Sequence, residues 1–456
     1  MARSKFHAVK DAISCINQKV NLVGVILDFT LPQKTKGTDY FCRLKIIDES
    51  NPEIPLHVFE KEMEHLPLVA AVGDIIRLSR VTMKIHDGDV YAVYNKKFST
   101  FALYDGKDGQ NFHPYQASLN FHAGEQDEMM IAGLRKWLAT SQVIDVPDFL
   151  LLQEINQVSS VNLACKVLHT CKTSNDEWIV FLWDGTDAPP IDIDKKLEDE
   201  IHDPLSLRLE PLPLSSDVLR TFPSAGTILR VILNVDCITH ILKLLKIGQW
   251  EKLFNLTCKE REGLWYGEFT SYSKIRDMPN DDILMLERQS KYDRRSIGNP
   301  DRMPYWSSPF PSRITEVNCG VASFATLMDV LTCKEVAKKF RCVVRVVAAT
   351  PWQVEDFRSP DGTFRVRFTL EDPTARIHAF AYAKDGENFF SGSSAAELQW
   401  KVNELLGLPI SDDGNEIEGG VRNPPWVQCC LKSHSERQCR WICDTKLVGE
   451  WVSSWV

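Results

Sequence analysis

One strand-forming phrase occurs three times along the chain, and this repetition limits the fold more than any other feature. VNLVGVIL from Val20 reappears as VNLACKVL from Val161 and, more distantly, as FRCVVRVV from Phe340. Each copy is followed by a second apolar run that ends in an aspartate turn, at Asp48, Asp184 and Asp372. Similarity at long intervals indicates a recurring structural unit. The sequence therefore predicts three copies of one β-rich unit.

The strands within each unit predict a small barrel. After the aspartate turn comes another β-rich run, which reads IPLHVF, PPIDI and ARIHAFAY in the three units. The first unit continues with a short helix or turn and two strands joined by a tight Asp87-Gly88 turn. In the third unit AAELQWKVNELLG takes the helical position. Five strands with a helical plug describe an OB-fold, a partly open Greek-key barrel. The predicted fold class is mainly β with α, as three OB-fold domains in tandem.

Composition shifts predict the domain boundaries. The polar, Gly-rich stretch that begins at Asp105 is typical of a connector, and so is the charged, then Pro-rich stretch that begins at Arg288. We expect OB-fold domains over residues 1–112, 126–285 and 314–456, with linkers over 113–125 and 286–313.

Charge and cysteine usage exclude several classes of protein. A net charge of −9 argues against coating duplex DNA by bulk electrostatics, although it permits a narrow basic groove. The thirteen cysteines are scattered and contain no C-x-x-C pair, and Cys439 and Cys443 have three residues between them. We expect free thiols and no metal site, with zinc ligands as the alternative. No apolar stretch approaches the roughly 18 residues of a membrane span. MARSKFHAVKDAIS has no apolar segment followed by a cleavage site, so we do not expect a secreted protein.

Motifs for catalysis are also missing from the sequence. It contains no P-loop, dinucleotide-binding glycine fingerprint, nucleophile elbow or H-E-x-x-H. The serine-rich SGSSAAE at Ser391 has no base nearby and is typical of a helix N-cap. We therefore expect a protein that is not an enzyme and needs no cofactor.

The loop after the first strand is a candidate nucleic-acid contact. OB-folds bind single strands across one barrel face, beside this loop and the loop between the fourth and fifth strands. Lys34 and Lys36 can contact phosphates, Gly37 permits close backbone approach, and Thr38 and Asp39 can hydrogen-bond base edges. A solvated lysine turn is the simpler alternative for this stretch.

Aromatic and cationic residues elsewhere in the first unit fit the same face. Phe59 shares a strand face with His57, but the pattern alone favours a core position for Phe59 at the strand end. The hairpin between the fourth and fifth strands adds Lys84, His86 and Tyr91, and Lys96 follows at the barrel's mouth. The alternative for these residues is an ordinary hairpin with one solvent-exposed face.

The residues of the first unit resemble the protection-of-telomeres family and its ciliate relative, the telomere end-binding protein alpha subunit. The resemblance runs from Lys36 to about His86 and includes K-G-T-D-Y, L-P at Leu66 and G-D-I-x-R at Gly73. LWDGT and TSYSKIR in the second unit are similar to that family's second OB-fold. FTLEDPTARIHAF and PPWVQCCLKS in the third are similar to its partner-binding OB-fold. The length, and the absence of a large insertion and of CPxxC pairs, resemble the plant branch.

The resemblance implies roles for individual positions. Lys36, Thr38 and Asp39 match loop residues that contact the G-rich strand, and Phe59 matches the aromatic residue that stacks on a base. The remaining positions matched to DNA contacts are a groove arginine in the first unit and a contact loop in the second: Arg80, Ser271, Tyr272 and Lys274.

Three positions depart from the family pattern. His86 stands where a stacking tyrosine is common, Asp87 where relatives can carry a lysine, and Val235 where a second stacking tyrosine is expected. A histidine offers less stacking area, and a carboxylate repels phosphate.

The resemblance implies a nuclear protein that binds telomeric single-stranded DNA at the chromosome end, protects the 3′ overhang and regulates telomerase access. We expect the third domain to bind a telomere-associated protein, with Trp426 and Trp441 as candidate surface residues and a core position as the alternative for each. The alternative is an accessory protein of the telomerase ribonucleoprotein with weak or lost DNA binding. A general replication single-strand binder is a third possibility.

Overall fold

The structure is a computed structural model. It describes residues 5–107, 109–124, 126–141, 143, 147–157, 159–173, 175–191, 207, 214–236, 238–278, 280, 282–296, 314–391, 394–409, 420–433 and 440–449. No helix among these residues is long and apolar enough to cross a lipid bilayer. Cys439 and residues 297–313 of the predicted second linker lie outside the described ranges.

The first barrel contains the first aspartate turn and a long strand that pairs with three other strands. Its elements are α1 (Val9–Ala12), β1 (Lys19–Phe29), β2 (Gln33–Lys34), β3 (Tyr40–Ile47), β4 (Ile54–Glu60), a 3-10 turn (Met63–His65), β5 (Ile75–His86), β6 (Asp89–Tyr94), β7 (Thr100–Tyr104) and β8 (Gln116–Ala117). The barrel closes in the order β1-β3-β4-β6-β5-β1, with β4 and β6 parallel.

The second barrel repeats this topology. Its elements are α2 (Asp127–Thr140), a 3-10 turn (Leu152–Glu154), β9 (Ser159–Lys172), β10 (Trp178–Trp183), α3 (Ser216–Leu219), β11 (Leu229–Leu233), α4 (Ile238–Leu244), β12 (Trp250–Arg261), β13 (Leu264–Phe269), β14 (Lys274–Asp277) and α5 (Ile283–Ser296). It closes in the order β9-β10-β11-β13-β12-β9, with β11 and β13 parallel.

The third barrel follows the same plan. Its elements are β15 (Thr315–Val317), α6 (Leu327–Thr332), β16 (Lys339–Thr350), a 3-10 turn (Val354–Phe357), β17 (Arg365–Glu371), β18 (Arg376–Tyr382), α7 (Ala383–Phe389), α8 (Ala395–Leu405), β19 (Trp426–Ser433), β20 (Arg440–Cys443) and β21 (Thr445–Leu447). The closed barrel is β16-β17-β18-β20-β19. Ser394 caps α8 by accepting from the Glu397 amide, as the serine-rich stretch predicted. The predicted fold class is therefore confirmed.

The repeated aspartate has one structural role in all three barrels. In the second barrel Asp184 accepts from the amide of Leu152, the first residue of the leading 3-10 turn, at 2.8 Å. Its other oxygen accepts from the Thr186 amide at 2.8 Å. The same two contacts recur for Asp48 with Val9 and Ser50, and for Asp372 with Leu327 and Thr374. Each aspartate therefore ties the turn after the second strand to the helical turn that precedes the first strand.

The third strand of the second barrel corrects one sequence prediction. PPIDI was expected to form it, but Pro189, Pro190 and Ile191 are not in a strand. The strand is β11, which begins at Leu229 and pairs with β10. Proline has no amide hydrogen to donate to a ladder, so this dipeptide cannot sit inside a central strand.

The predicted linkers are packed parts of the fold. Within 113–125, β8 pairs with β7, and Tyr115 donates to Asp74 at 2.8 Å. Helix α2, expected to open the second domain, instead buries Ile131 and Leu134 against the first barrel. The linker expected from residue 286 begins inside α5, whose Tyr292 packs on Trp183 of the second barrel. Both stretches are polar overall but contain a strand or a helix whose buried residues pack on the adjacent barrel, so composition alone misplaced the boundaries.

The second and third barrels share a buried interface. Trp426 of the third barrel donates to Asp187 of the second at 3.1 Å, and the fully buried Arg345 donates to the carbonyl of Ala188 at 3.1 Å. Arg422 donates to the carbonyl of Ile191 at 2.6 Å. Trp426 is 4 % exposed, so it contacts the second barrel rather than presenting a surface to a partner as predicted.

Candidate nucleic-acid interface

One face of the first barrel is open and lined by alternate residues of β3 and β4. Along β3, Cys42 and Leu44 are buried whereas Phe41 is half-buried and Arg43 is exposed. Along β4, His57 and Phe59 face outward between buried neighbours. Phe59 is 36 % exposed, so the surface interpretation of this residue is supported and the core alternative is wrong. Strand alternation places these side chains on one surface.

Aromatic rings form a continuous ladder across this face. Phe59 and Phe41 are cross-strand partners with ring centroids 4.8 Å apart. Phe41 meets His57 edge-on at 5.6 Å, and His57 lies 4.9 Å from Tyr91 of β6. Burial, with the nearby charge of Arg43, lowers the pKa of His57, which favours the uncharged ring. Flat uncharged rings in a row are the platform on which bases of a single strand stack.

The loop after the first strand is ordered by its own side chains. Lys34 pairs with Tyr40 through β2, and Thr35 donates its hydroxyl to the carbonyl of Asp39 at 2.6 Å. Lys34, Lys36, Gly37 and Thr38 are exposed. A Cβ at Gly37 would meet only the Thr35 hydroxyl, at 3.6 Å, so the fold itself does not require glycine there. The loop therefore places two exposed lysines beside β3, the strand that carries Phe41.

Asp39 and Lys96 connect the loop after the first strand to the segment between β6 and β7. The Lys96 ammonium donates to Asp39 at 2.6 Å, and the Thr38 hydroxyl donates to the same carboxylate at 3.3 Å. The hydrogen bond from Lys96 is the main reason that the pKa of Asp39 is lowered. Lys96 is thus partly neutralised by Asp39, which was predicted only as a contact to base edges.

The hairpin between β5 and β6 carries the other predicted contacts. Lys84 of β5 is the cross-strand partner of Tyr91 of β6, and its ammonium donates to Asn17 at 3.1 Å. His86 lies at the exposed tip, 3.5 Å from the carboxylate of Asp87. The tip therefore carries negative charge where an approaching phosphate would be repelled.

Arg80 stands where β5 changes partners, since the residues before it pair with β7 and those after it with β6. Its φ is 56°, an uncommon conformation for a residue other than glycine. The Asn21 side chain accepts from its amide at 3.0 Å, and Ser99 donates to its carbonyl at 2.8 Å. These two bonds hold the backbone while the side chain is exposed.

The contact loop predicted in the second barrel lies against the first barrel. The carbonyl of Ser271 accepts from the Leu31 amide at 2.9 Å. Lys274 is buried, ion-paired with Asp28 and positioned over the Phe29 ring at 4.8 Å. The prediction of a DNA contact by Lys274 is corrected accordingly: its ammonium faces the first barrel. Tyr272 is 66 % exposed beside this junction.

A groove of about 370 Å³ runs between the first and second barrels and is acidic. Asp176, Glu177, Asp236 and Val235 line it, with Gln33 from the first barrel. Asp236 also accepts from the Lys34 amide at 2.7 Å. Carboxylates here oppose a phosphate backbone, and an aliphatic Val235 offers no stacking platform.

The equivalent face of the second barrel is covered at β10, its second strand. Phe181, on the outward side of β10, is fully buried between Phe222 at 5.5 Å and the guanidinium of Arg230 at 5.5 Å. Phe222 belongs to the segment that separates β10 from β11. The first barrel therefore presents a more open face than the second.

Sequence reasoning missed Phe41, Arg43 and, as a site residue, His57. The signal was present in the alternation of YFCRLKII, where every second residue from Cys42 is apolar and buried. The alternation says which residues point outward, and register then places Phe41 opposite Phe59.

One cluster in the described part of the chain has metal-ligand spacing. Cys430, Cys443 and Asp444 place their ligand atoms within 4.8 Å of one another in the third barrel. The two sulfurs are 3.5 Å apart and buried. Lys339 forms an ion pair with Asp444, which would compete with a cation for that carboxylate.

Three tandem OB barrels, one with an open aromatic and cationic face, define the class of OB-fold proteins that handle single-stranded nucleic acid. The family model described as "Telomeric single stranded DNA binding POT1/CDC13" matches residues 2–146, and that described as "POT1A-like, OB fold domain" matches residues 310–439.

Two plant relatives extend this similarity over 94 % of the chain. Protection of telomeres protein 1a of Arabidopsis thaliana is 38 % identical over 94 % of this chain and 94 % of its own length. Protection of telomeres protein 1b of the same plant is 36 % identical over 94 % and 93 %. The structure titled "Crystal structure of fission yeast Pot1 and ssDNA" has a TM-score of 0.28 and 17 % identity, covering 64 % of this chain and 94 % of its own. The chain belongs to the protection-of-telomeres family.

Proposed function

We propose that this protein binds telomeric G-rich single-stranded DNA on the first barrel, with bases on the aromatic ladder and phosphates beside the bordering loops. The observation that carries the proposal is the contact between the exposed Phe59 and the half-buried Phe41, continued by His57 and Tyr91. Lys34 and Lys36 supply positive charge at one border, beside Lys96 paired with Asp39, and Lys84 supplies it at the hairpin. Phosphate contacts position a strand, and base contacts give it specificity.

Family membership supports a proposal for the wider role. We propose that the protein protects the 3′ overhang in the nucleus, regulates telomerase access and has no enzymatic activity. Telomerase ribonucleoprotein and a telomere-associated protein are the proposed partners beside the DNA. The buried second–third interface assigns Trp426 to contacts within the chain, so a protein partner of the third barrel must use other residues.

A second candidate function is an accessory protein of the telomerase ribonucleoprotein that binds DNA weakly. The acidic groove lined by Asp236 and Val235, and the carboxylate of Asp87 at the hairpin tip, favour it. Both features place carboxylates next to the aromatic ladder, where they weaken binding of a phosphate backbone.

Fluorescence anisotropy of the full chain separates the two candidates. Labelled TTTAGGG repeats and a shuffled strand are titrated at two salt concentrations. Tight binding to the repeat that is lost on shuffling supports the telomeric DNA-binding function. Weak binding of both strands, with equal affinity, favours the accessory protein.

A further inference from the structure

The third barrel has an outward face built in the same register as the DNA-binding face proposed for the first barrel. In the first barrel Ile46 of β3 pairs with Ile54 of β4, and Phe59 lies five residues later. In the third barrel Leu370 of β17 pairs with Ile377 of β18, and Tyr382 lies five residues later. Tyr382 therefore occupies the strand position of Phe59.

The neighbouring positions correspond in the same way. Phe380 takes the place of His57, and its parallel partner Trp441 takes the place of Val93. Tyr382 is 39 % exposed, close to the 36 % of Phe59, and its ring meets Trp441 edge-on at 5.1 Å. Three aromatic side chains thus lie on one face of two paired strands, β18 and β20.

Cationic residues border these rings. Arg365 is the cross-strand partner of Tyr382, and Lys432 is the partner of Trp441. Both are half-buried, as Phe380 and Trp441 are. Positive charge beside stackable rings is the combination that fits a sugar–phosphate backbone with unpaired bases.

The second barrel covers only one side of this face. Its β12–β13 hairpin brings Glu262 to 3.6 Å from Arg367, which takes the place of Arg43 and is buried. Tyr382, at the far end of β18, stays exposed. The interface between the barrels therefore leaves the rings accessible, in contrast with Phe181 of the second barrel.

We infer that the third barrel is a second site for single-stranded DNA, with bases against Tyr382, Phe380 and Trp441 and phosphates beside Arg365 and Lys432. Charge complementarity favours a nucleic-acid strand over a protein at this face, because the rings are flanked by an arginine and a lysine. This site is separate from the function proposed for the first barrel.

The test uses the full chain and TTTAGGG strands of one to four repeats, with 5-iododeoxyuridine replacing thymine for photo-crosslinking. The variants are Tyr382→Ala and Lys432→Ala, with Lys446→Ala on β21 as the exposed control and Phe59→Ala as the first-barrel variant. Thermal unfolding checks that each variant is folded. We expect Tyr382→Ala to weaken binding of the longer strands about 5- to 150-fold and to leave one repeat unaffected. Crosslinks should map to Tyr382 or Trp441.

The outcomes separate the two sites. Unchanged affinity of folded Tyr382→Ala and Lys432→Ala for every strand length, with crosslinks confined to the first barrel, overturns the inference and assigns the face to a protein partner. Crosslinks at Tyr382 together with no effect of Phe59→Ala sustain the inference and refute the first-barrel proposal. Lys446→Ala should bind every strand as the wild type does; if it weakens binding as much as Lys432→Ala, the effect is general charge and the inference fails.

Discussion

At the residue scale, Phe41 and Phe59 form the contact on which the proposed DNA binding most depends. Their rings support each other at 4.8 Å, so removing either one also changes the position that the other presents to a base. Aromatic stacking is worth roughly 1–3 kcal/mol per base. The pair therefore should act as one platform and not as two independent contacts.

Phe59→Ala is expected to weaken binding to TTTAGGG repeats by about 1–3 kcal/mol, and Phe41→Ala by a similar amount. Because the rings are in contact, the double variant should lose less than the sum of the two. Anisotropy titration at fixed salt measures all three affinities. Leu119→Ala, which removes an exposed apolar side chain from the connector, is the control. Additive losses in the double variant contradict a shared platform.

Asp39→Asn is expected to release the charge of Lys96 toward phosphate. The variant should bind a shuffled strand more tightly, and the slope of log affinity against log salt should steepen by about 0.7 for one added phosphate contact on a single strand. Titrations between two salt concentrations measure this slope. Discrimination between repeat and shuffled strands should fall. An unchanged slope shows that Lys96 does not reach the DNA.

How far these residues can be predicted from sequence depends on what covers them. The pattern put Phe59 on one strand face with His57 but favoured a core position for it, and the family resemblance indicated a surface position. Phe181 lies on the corresponding side of β10 in the second barrel. Only Phe59 is exposed, because Phe222, from a distant segment, packs on Phe181. Local periodicity specifies the direction of a side chain but carries no information about a cover supplied from elsewhere. Lys274 shows the same limit, since its partner Asp28 is in another barrel.

At the scale of elements, the three aspartate ties explain why the repeat was visible in the sequence. Each aspartate must accept from two sites at once, which restricts it to one residue type with a hydroxyl residue two positions later. The turn at Asp184 was correctly predicted to recur. The hydrogen bonds of the aspartate do not determine how many residues precede the next strand, so PPIDI was wrongly assigned to that strand.

Asp372 is expected to titrate near pH 6. Burial raises the pKa of its carboxyl from 3.8 to about 6, so the folded state favours the protonated form. Its contribution to stability is therefore fully present below about pH 4 and is lost as the pH rises through 6. NMR of ¹³C-labelled aspartate should show one resonance with this midpoint that disappears in Asp372→Asn. A midpoint at or below 4 contradicts the expectation.

At the scale of the whole molecule, the two junctions between barrels differ in kind. The first and second barrels meet through a few polar contacts, among them those of Lys274 and Ser271. The second and third bury arginines and Trp426 around Asp187. The second and third barrels should therefore behave as one unit.

Asp187→Ala is expected to destabilise this unit by about 3–5 kcal/mol, because it leaves the charges of Arg345 and Arg295 without their carboxylate. Arg295 donates to Asp187 at 3.1 Å, and burial of the carboxylate is outweighed by these cations, so the pKa of Asp187 is lowered. Thermal unfolding and hydrogen exchange measure the loss.

Asp217→Ala is the matched control, since its pair with Arg220 is exposed at 3.8 Å. A pair of that kind contributes about 0–1 kcal/mol. Equal losses in the two variants would mean that the Asp187 contacts do not stabilise the interface.

The aspartate ties also set an order for the chain during translation. Asp48, Asp184 and Asp372 follow their helical amide partners by 39, 32 and 45 residues. A nascent chain emerges from the ribosome N-terminus first. Both ends of each tie therefore exist once the second strand of that barrel is made, before its fourth and fifth strands. Each barrel can therefore join its leading helical turn to its first two strands while its later strands are still being translated. The next barrel is not needed for this step.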